Sequence, residues 1–485
     1  PAFVNRVKQA IAAQVKVDPN SSGLKIVTTL DPPLQSLAQQ TVAQQVQSLK
    51  APYDVTDGAL VSIDPSSGDV LAYVGSAGAG TPGGEIDMAA APRQPGSTFK
   101  LFTYSTALNL NKITMFTPVL DAPFTLPAQQ GVAAYTVQNY DQRYHGLLPV
   151  AMVLGNSLNV PAVKVEMYTG IPNIVQTARA LGVTTLDQDP NSYTPSLTLG
   201  SYPVPLWQMA QAATTFATGG KLQPARFVTS VKDAAGRELL PGPAAPSQVL
   251  DPGTVFILNQ ILSDDSNRVL EFGPHSALTL EGHLVAAKTG TTNDFKDNLT
   301  VGWTPKLVTA AWVGNADDHA MHGTTGVTGA APIWHDVMSQ ALAGQADGWP
   351  GPPPGVHQAQ FQGRTGWLKD GTAPTYVPEL TGGARGPAVQ PTRIASPPAS
   401  ESASASASAS VSPASSPSPA STSASPAAAS PASPPLPAAA SAASSPRPPS
   451  PSPAVPQPAA SSPPPSPQAP SPSSKPASPV ASPKH

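Results

Sequence analysis

Residues 283–315 read HLVAAKTGTTNDFKDNLTVGWTPKLVTAAWVGN, a stretch in which three runs rich in apolar and β-branched residues follow one another. The runs cover 283–291, 298–305 and 307–315, and short segments rich in Asp, Lys and Pro separate them. Valine, threonine and tryptophan favour strands, whereas asparagine, aspartate and proline favour the turns between strands. The stretch therefore predicts three consecutive strands late in the folded part of the chain.

Two more strands are predicted much earlier, in ALVSIDP (59–65) and VLAYVGS (70–76). Both alternate apolar residues and flank Ser-Ser-Gly-Asp, so they predict a hairpin with a tight turn. Between the early and the late strands, the segment 95–110 and most of 140–270 have helical patterns punctuated by Gly and Pro. Strands at both ends with helices between them predict an α+β domain whose sheet pairs N-terminal with C-terminal strands. A last helix, at 331–344, is expected to pack against that sheet.

The first 50 residues are predicted to form a linker or pedestal segment. Apolar residues recur at helical spacing over 3–15, a strand follows at 24–30, and an amphipathic helix follows at 34–49. We expect the main domain to span 51–345 and a C-terminal extension to span 346–395.

Residues 396–485 consist almost entirely of Ser, Ala and Pro, without any aromatic residue or glycine. The only formal charges in this segment are on Glu401, Arg447, Lys475 and Lys484. Such a segment cannot bury enough apolar area to offset the entropy lost when its backbone is ordered. The sequence therefore predicts a disordered C-terminal tail.

Composition excludes several classes of function. The net charge is −3 and there is no basic block, which argues against a nucleic-acid partner. There is no cysteine, so disulfides, thiolate metal sites and cysteine nucleophiles are excluded. No run approaches the ~20 apolar residues of a membrane span, and we expect any membrane anchor to lie upstream of Pro1. His319 and His322 stand beside two aspartates, but a solvated loop is the favoured interpretation, and no metal or other cofactor is expected.

Three short motifs could carry chemistry: Ser97-Thr98-Phe99-Lys100, Ser157-Leu158-Asn159 and Lys288-Thr289-Gly290. A serine becomes nucleophilic when a nearby base takes its proton. On a helix, Lys100 would lie one turn from Ser97. The lysine must be neutral to act as that base, so burial or a second cation must lower its pKa. The start of a helix would also favour an alkoxide at Ser97.

Each motif also has an ordinary structural interpretation. Ser97 could be the N-cap of an apolar helix, and a second S-x-x-K occurs at 22–25 without a helix to align it. Ser157 and Asn159 could form a polar loop at a helix boundary, although their hydroxyl and amide could also relay a proton and orient the lysine. Lys288 could simply end a strand, although a strand edge there could bind an extended peptide and its carboxylate.

The flanking residues favour the chemical interpretation. RQPGSTFK (93–100), NSLNVPAVKV (156–165) and AAKTGTTND (286–294) occur in this order. In these segments the chain closely resembles the transpeptidase domain of class A, bifunctional penicillin-binding proteins, over most of residues 3–375. The resemblance implies a β-lactamase-like fold, in which helices flank an antiparallel sheet and a helical subdomain is attached. One departure is that Asp297 precedes Asn-Leu-Thr, where the family commonly has an aromatic pair.

The resemblance also implies a role for each residue of the motifs. Ser97 would form the acyl-enzyme with Lys100 as its base, Ser157 would pass the proton to the leaving D-alanine, and Asn159 would hold the lysine and the substrate amide. Lys288, Thr289 and Thr291 would bind the terminal carboxylate, and Gly290 and Thr292 belong to the same substrate-binding strand. The backbone N–H groups of Ser97 and Thr291 would form an oxyanion hole.

The expected function is a D,D-transpeptidase that cross-links peptidoglycan stem peptides and is acylated by β-lactams. It would act at the extracytoplasmic face of the bacterial membrane or in the cell wall, where cell-wall synthesis proteins are possible partners. Two alternatives stay open. One is a hydrolase with the same motifs, either a D,D-carboxypeptidase or a β-lactamase, but no E-x-x-L-N segment supplies the carboxylate that related β-lactamases use. The other is a non-enzymatic β-lactam sensor.

Overall fold

The computed structural model describes residues 2–394, except 16, 19, 21–22, 129–133, 293 and 386–389. The predicted disorder of 396–485 lies outside the described residues. Within them, the helices are α1 (Ala2–Gln14), α2 (Pro32–Tyr53), α3 (Lys100–Asn109), α4 (Val150–Gly155), α5 (Asn159–Thr169), α6 (Ile171–Ala180), α7 (Leu206–Ala217), α8 (Pro252–Ser263), α9 (Val269–Phe272), α10 (Ala330–Leu342) and α11 (Pro378–Thr381). Short 3₁₀ turns cover Gly96–Phe99, Pro190–Ser192, Leu197–Leu199 and Asp265–Asn267.

The strands are β1 (Lys25–Thr28), β2 (Asp57–Ile63), β3 (Val70–Val74), β4 (Pro92–Arg93), β5 (Pro118–Asp121), β6 (Phe124–Leu126), β7 (Tyr135–Val137), β8 (Gly146–Pro149), β9 (Val204–Pro205), β10 (Lys221–Leu222), β11 (Val228–Lys232), β12 (Ser247–Gln248), β13 (Ala286–Thr291), β14 (Asp297–Trp303), β15 (Val308–Gly314), β16 (Val356–Phe361), β17 (Arg364–Lys369) and β18 (Thr392–Arg393).

The central sheet has five antiparallel strands in the order β13-β14-β15-β2-β3. The late strands β13, β14 and β15 form a meander, and β15 pairs with β2 of the early hairpin, from Val308 opposite Ile63 to Gly314 opposite Asp57. The predicted α+β sheet that joins N-terminal and C-terminal strands is thereby confirmed. Because β13 is an edge strand of this sheet, the side of it opposite β14 faces the residues around Ser97.

Successive side chains of a strand point to opposite faces of the sheet. Helices cover both of these faces. On one face, α2 and α10 pack against sheet side chains such as Leu60 and Ala311, and Trp334 of α10 belongs to the same apolar cluster. On the other face, α7 and α8 pack against Val61 and Trp303. The predicted last helix, 331–344, corresponds to α10 and lies on the sheet as expected.

The first 50 residues pack directly on the main domain. Helix α1 buries Phe3, Val7 and Ile11 in the same apolar cluster as Tyr73 and Phe227. Strand β1 pairs with β11, and α2 begins with an Asp31 carboxylate that accepts a hydrogen bond from the Leu34 N–H. The described residues of this segment and those after 345 belong to one compact unit with the main domain. The boundaries at 50 and 345 stay predictions about domain organisation.

The region between the two groups of strands differs from the helical prediction in detail. It contains α4 to α8 as expected, but also short two-stranded ladders such as β5 with β8 and β6 with β7. These strands have two to five residues, too few for a period of two to be recognised, and they pair mostly with distant segments. Among the described residues, no helix is long and apolar enough to cross a membrane.

Candidate active site

Ser97 lies in a 3₁₀ turn rather than in the first turn of an α-helix. The turn spans Gly96–Phe99, and Lys100 is the first residue of α3. Ser97 is half-buried, whereas Lys100 is completely buried. The helix predicted over 95–110 is therefore confirmed, with its first turn wound more tightly than expected.

Three glycines allow the nucleophile turn to pack closely against its neighbours. A Cβ atom on Gly96 would lie 2.8 Å from the Thr291 backbone nitrogen. A Cβ on Gly290 would overlap the Pro95 carbonyl oxygen, and a Cβ on Gly200 would overlap the backbone of Gly96. Main chains in such contact leave no room for a side chain. Glycine at these positions therefore brings edge strand β13 against the turn that carries Ser97.

The side chain of Lys100 points to the second motif. Its ammonium donates hydrogen bonds to the Ser157 carbonyl oxygen, to Asn159 Oδ1 at 2.7 Å and, more weakly, to Ser157 Oγ at 3.4 Å. Within the described residues it has no hydrogen bond to Ser97, so proton transfer between the two stays a prediction. The amide oxygen of Asn159 accepts a hydrogen bond from the lysine, and its role in holding the lysine during catalysis stays a prediction.

Ser157 occupies a turn between α4 and α5 in the left-handed backbone region, with φ 59°. That conformation is uncommon for a residue with a Cβ, and it is often found at functional sites. Here it directs the Ser157 carbonyl group toward Lys100 while the hydroxyl accepts a hydrogen bond of 2.7 Å from Lys288 Nζ. The ammonium of Lys288 also donates to the Thr289 carbonyl oxygen at 2.9 Å.

Burial lowers the pKa of both lysines, and the charge of Lys288 lowers the pKa of Lys100 further. Desolvation, followed by the nearby charge of Lys288, lowers the pKa of Lys100 well below its usual value. Desolvation lowers the pKa of Lys288 to about 7, against an opposing effect of the Glu271 carboxylate. A neutral Lys100 was predicted to need burial or a second cation, and both are present. The second cation is Lys288.

Asn139 supports the second motif and was missed in the sequence. Its Oδ1 accepts hydrogen bonds from the backbone N–H of Asn159, at 2.8 Å, and of Val160, at 3.3 Å. Its Nδ2 donates to both oxygens of the buried Asp121 carboxylate, which also accepts from the His145 ring. This network fixes the start of α5 and therefore the position of Asn159. Its members come from separate loops, so no local spacing marked it.

These residues surround a cavity of about 680 Å³. It is lined by Ser97, Tyr135, Gln138, Asn139, Tyr140, Gln142, Ser157, Asn159, Leu199, Glu271, Phe272, Thr289, Thr291, Thr292, Phe295, Thr325, Gly326, Val327 and Thr328. Six of the nine predicted site residues therefore line a single cavity. The other three, Lys100, Lys288 and Gly290, are buried directly behind its wall.

The threonines of the third motif have different surroundings. Thr291 Oγ1 accepts a hydrogen bond from the Gly326 N–H, which ties β13 to the loop on the far side of the cavity. Thr292 is largely buried, and its hydroxyl accepts from the backbone N–H groups of Lys296 and Asp297, each at 3.0 Å. That hydroxyl therefore closes a turn, and a role of Thr292 in substrate binding stays a prediction.

Two polar residues in the segment after Asp297 also contact this wall. Asn298 Nδ2 donates to the Thr324 carbonyl oxygen at 3.3 Å, and Thr300 Oγ1 donates to the Gly326 carbonyl oxygen at 3.1 Å. They thus bind the loop 324–328, four residues of which line the cavity. The segment in which the sequence departs from the family pattern therefore holds this loop through hydrogen bonds.

Glu271 is an acidic residue of the cavity that the sequence did not reveal. It lies on the short helix α9, and its backbone N–H donates to Asn156 Oδ1 at 3.0 Å. Burial, and secondarily the charge of Asp141, raises the pKa of Glu271, while Lys100 and Lys288 oppose the rise. It does not belong to any motif with recognisable spacing.

His319 and His322, which were set aside in the sequence, do not line this cavity. His319 bonds to Asp317 at an exposed loop, and Asp318 pairs with Arg93 and Lys296. No group of three or more potential metal ligands occurs among the described residues. Ser22 of the second S-x-x-K lies outside the described residues.

Comparisons with known proteins agree with this geometry. The model of the penicillin binding protein transpeptidase domain matches residues 58–339. Penicillin-binding protein 1B of Vibrio cholerae is 33% identical over 352 residues, which cover 70% of this chain and 43% of that protein. Penicillin-binding protein 1A of Neisseria meningitidis is 35% identical over 299 residues, 59% of this chain and 36% of that protein. The chain thus spans less than half the length of these relatives.

Solved structures give the same result. The structure of the PonA1 protein from Mycobacterium tuberculosis in complex with penicillin V superposes with a TM-score of 0.62 at 26% identity. The match covers 75% of this chain and 97% of the PonA1 chain. Penicillin-binding protein 1A from Haemophilus influenzae, at 18% identity, shares the fold with a TM-score of 0.65 over 77% of this chain and 76% of its own. The predicted resemblance to class A proteins and the predicted fold are confirmed. Over its matched residues, the chain belongs to the penicillin-binding protein transpeptidase family.

Proposed function

We propose that the chain is a serine D,D-transpeptidase that cross-links peptidoglycan stem peptides ending in D-Ala-D-Ala and is acylated by β-lactams. The observation that carries this proposal is the convergence of two buried lysines on the Ser157 hydroxyl beside Ser97. Lys100 is suited to be neutral, and Lys288 is able to hold a charge. Serine acylation needs both, a base for the nucleophile and a cation for the substrate carboxylate.

Acylation starts when Lys100 takes the proton of the Ser97 hydroxyl. The serine oxygen attacks the carbonyl carbon of the penultimate D-alanine, and negative charge develops on the carbonyl oxygen. The close contact of Gly96 with Thr291 supports an oxyanion hole formed by the backbone N–H groups of Ser97 and Thr291. Collapse of the tetrahedral intermediate breaks the peptide bond, and the proton reaches the leaving amine through Ser157.

Substrate would lie along the edge strand β13. An extended peptide can pair with the free edge of such a strand. Its terminal carboxylate would meet Lys288, Thr289 and Thr291, where a charged Lys288 stabilises it. A β-lactam carboxylate would bind in the same place. The amine of a second stem peptide would then attack the ester and release Ser97.

Location and partners follow from this activity. A transpeptidase of wall peptides acts at the extracytoplasmic face of the bacterial membrane, where its partners are stem peptides and other cell-wall synthesis proteins. Neither a cofactor nor a metal takes part in the proposed steps.

Covalent labelling tests the proposal. A fluorescent penicillin should label the purified chain at Ser97, as peptide mapping by mass spectrometry would show. Ser97→Ala should abolish the label, and Ser22→Ala, in the second S-x-x-K, should retain it. Labelling that persists in the Ser97 variant contradicts the proposal.

A hydrolase is the second candidate, because Glu271 places a carboxylate on the cavity wall. Such a carboxylate could activate a water molecule for attack on the ester. The lifetime of the penicillin adduct on Ser97 separates the two functions, because a hydrolase clears the adduct and a transpeptidase retains it.

A further inference from the structure

The cavity wall is almost free of charged side chains. Glu271 is the only Asp, Glu, Lys, Arg or His among the described residues that line it. The two lysines lie behind the wall and are completely or almost completely buried. A ligand that fills the cavity therefore meets one side-chain carboxylate on the wall itself, apart from the lysines behind the wall.

Glu271 is held firmly next to the second motif. Asn156, the residue before Ser157, accepts a hydrogen bond from the Glu271 N–H and donates through Nδ2 to the Asn267 carbonyl oxygen at 2.7 Å. A Cβ on Gly155 would overlap the Asn267 backbone, so this contact is also close. The segment that carries Glu271 is thus fixed to the end of α4.

The Glu271 carboxylate is not committed to a partner within the protein. Among the described residues, it has no ion pair within 4.0 Å, and the lysine ammonium groups bond instead to Ser157, Asn159 and the Thr289 carbonyl oxygen. An ionised carboxylate in a partly desolvated position favours a cation that arrives with the ligand.

Aromatic residues flank the same part of the cavity. Tyr140, which is 53% exposed, meets Phe295 edge-on with ring centroids 6.4 Å apart, and Phe272 follows Glu271 in the chain. Burial raises the pKa of Tyr140, and the charge of the nearby Glu271 carboxylate raises it further. A carboxylate beside exposed aromatic rings suits an organic ammonium group.

We propose that Glu271, together with Tyr140, forms the subsite that receives the protonated amino group of the acyl acceptor. The inference rests on the proposed function, because an acceptor is needed only once Ser97 carries an acyl group.

The same carboxylate can prepare the acceptor for attack. An ammonium group has no free electron pair and must lose one proton first. Transfer of that proton to Glu271 gives a neutral amine and a carboxylic acid, and burial favours the neutral acid. The amine then attacks the ester carbonyl carbon, and its second proton returns through Ser157 and Lys100 to the Ser97 oxygen as the ester bond breaks.

Partitioning of the acyl-enzyme tests the subsite independently of the acylation rate. The purified chain is acylated with a thioester analogue of the stem peptide in the presence of D-alaninamide, a cationic acceptor, or methanol, a neutral one. Mass spectrometry measures aminolysis, methanolysis and hydrolysis products. In Glu271→Gln, the half-saturating concentration of D-alaninamide should rise about tenfold, the loss expected for a charge-assisted hydrogen bond. The ratio of methanolysis to hydrolysis should change less than about twofold.

Matched variants complete the experiment. Glu281→Gln removes an exposed carboxylate outside the cavity and should behave as wild type. Glu271→Asp should recover part of the acceptor affinity, and Tyr140→Leu should weaken it about threefold. Tyr140→Leu keeps the inference testable if Glu271→Gln does not fold, as judged by circular dichroism.

Two outcomes overturn the inference. If aminolysis and methanolysis fall together, Glu271 acts through the lysines rather than on the amine. If hydrolysis alone falls, Glu271 activates water. A wild-type chain that forms no acyl-enzyme at Ser97 would instead refute the proposed function, so the two failures are distinguishable.

Discussion

Lys288 donates a hydrogen bond of 2.7 Å to the hydroxyl of Ser157. Because the same hydroxyl lies 3.4 Å from the Lys100 ammonium, one serine joins the two cations. Two positive charges in a buried site repel each other, so charging one lysine makes the other easier to deprotonate. The arrangement favours a state in which Lys288 holds the proton and Lys100 is neutral.

The pH dependence of acylation should report this state. Acylation by penicillin needs neutral Lys100 and, for the carboxylate, charged Lys288. The pKa of Lys288 is about 7, so its charged form declines as pH rises. We expect the second-order acylation rate constant to fall, by up to about tenfold per pH unit, above about pH 7. At low pH it should fall again as Lys100 becomes protonated.

Substitution identifies the lysine responsible for the alkaline fall. Arginine stays charged throughout this range. Whatever acylation rate Lys288→Arg retains should therefore not fall as the pH rises above 7. Lys296→Arg, at an exposed ion pair with Asp318, is the matched control. A wild-type rate that is flat to pH 9 would show that a charged Lys288 is not required.

The contact between β13 and the nucleophile turn should not tolerate a methyl group. In Gly290→Ala the new Cβ would overlap the Pro95 carbonyl oxygen and come within 3.1 Å of the Thr98 backbone nitrogen. Overpacking of this kind costs about 1 to 3 kcal/mol. We expect a comparable loss in the free energy of unfolding and at least a tenfold loss of acylation rate, because Ser97 moves relative to Thr291.

A second glycine gives the control. A Cβ on Gly351 would meet no heavy atom within 4 Å, so Gly351→Ala should retain stability and acylation. Chemical denaturation and stopped-flow acylation measure both quantities. Wild-type behaviour of Gly290→Ala would mean that the backbone contact is not needed.

Asp297 should make the protein more stable at mildly acidic pH. Burial raises its pKa to about 6, against hydrogen bonding from Trp312 Nε1, which lies 2.9 Å from Asp297 Oδ1. The folded state therefore takes up a proton at higher pH than the unfolded state, whose usual value is 3.8. Stability contributed by this group rises as pH falls through 6 and is complete below 3.8. Between pH 8 and pH 5 the gain is roughly 1 to 2 kcal/mol.

Asp297→Asn isolates this contribution, since an amide oxygen can still accept from Trp312. When the pH is lowered from 8 to 5, the free energy of unfolding measured with urea should rise by roughly 1 to 2 kcal/mol more in the wild type than in the variant. Exposed Asp187→Asn serves as the control. Identical pH dependence of wild type and Asp297→Asn would contradict a raised pKa at Asp297.

Much of the fold was predictable because its main elements have strong local patterns. The runs around Trp303 and Trp312 and the hairpin turn at Gly68, with φ 76°, identified the strands of the central sheet. The short ladders such as β5 with β8 were not predictable, because two to four residues carry no readable period. Tertiary contacts also made the turn before Lys100 a 3₁₀ turn, since Gly96 must clear Gly200 and Thr291.

The candidate site was predictable only where a motif is compact. Ser97 and Lys100 are three residues apart, and a helix makes them neighbours. Asn139 lies in a loop and Glu271 in the short helix α9, more than 100 residues apart in sequence, and only the fold brings them to the same cavity. The lowered pKa of Lys288 likewise depends on burial beneath distant segments, which no local pattern indicates.

The fate of the penicillin adduct separates a transpeptidase from a hydrolase. Once Ser97 is esterified, turnover needs a second nucleophile and a base that activates it. In our proposal Glu271 serves an incoming ammonium group rather than a water molecule, and its backbone N–H donates to Asn156 Oδ1. Hydrolysis should therefore be slow, with a rate constant of roughly 10⁻³ per second or below, which corresponds to a barrier of about 21 kcal/mol or more. Timed mass spectrometry of penicilloyl-Ser97 measures it, with Ser97→Ala as the blank. An adduct that clears within seconds while penicillin is consumed catalytically would identify a hydrolase, and Glu271→Gln should then lengthen the lifetime of the adduct.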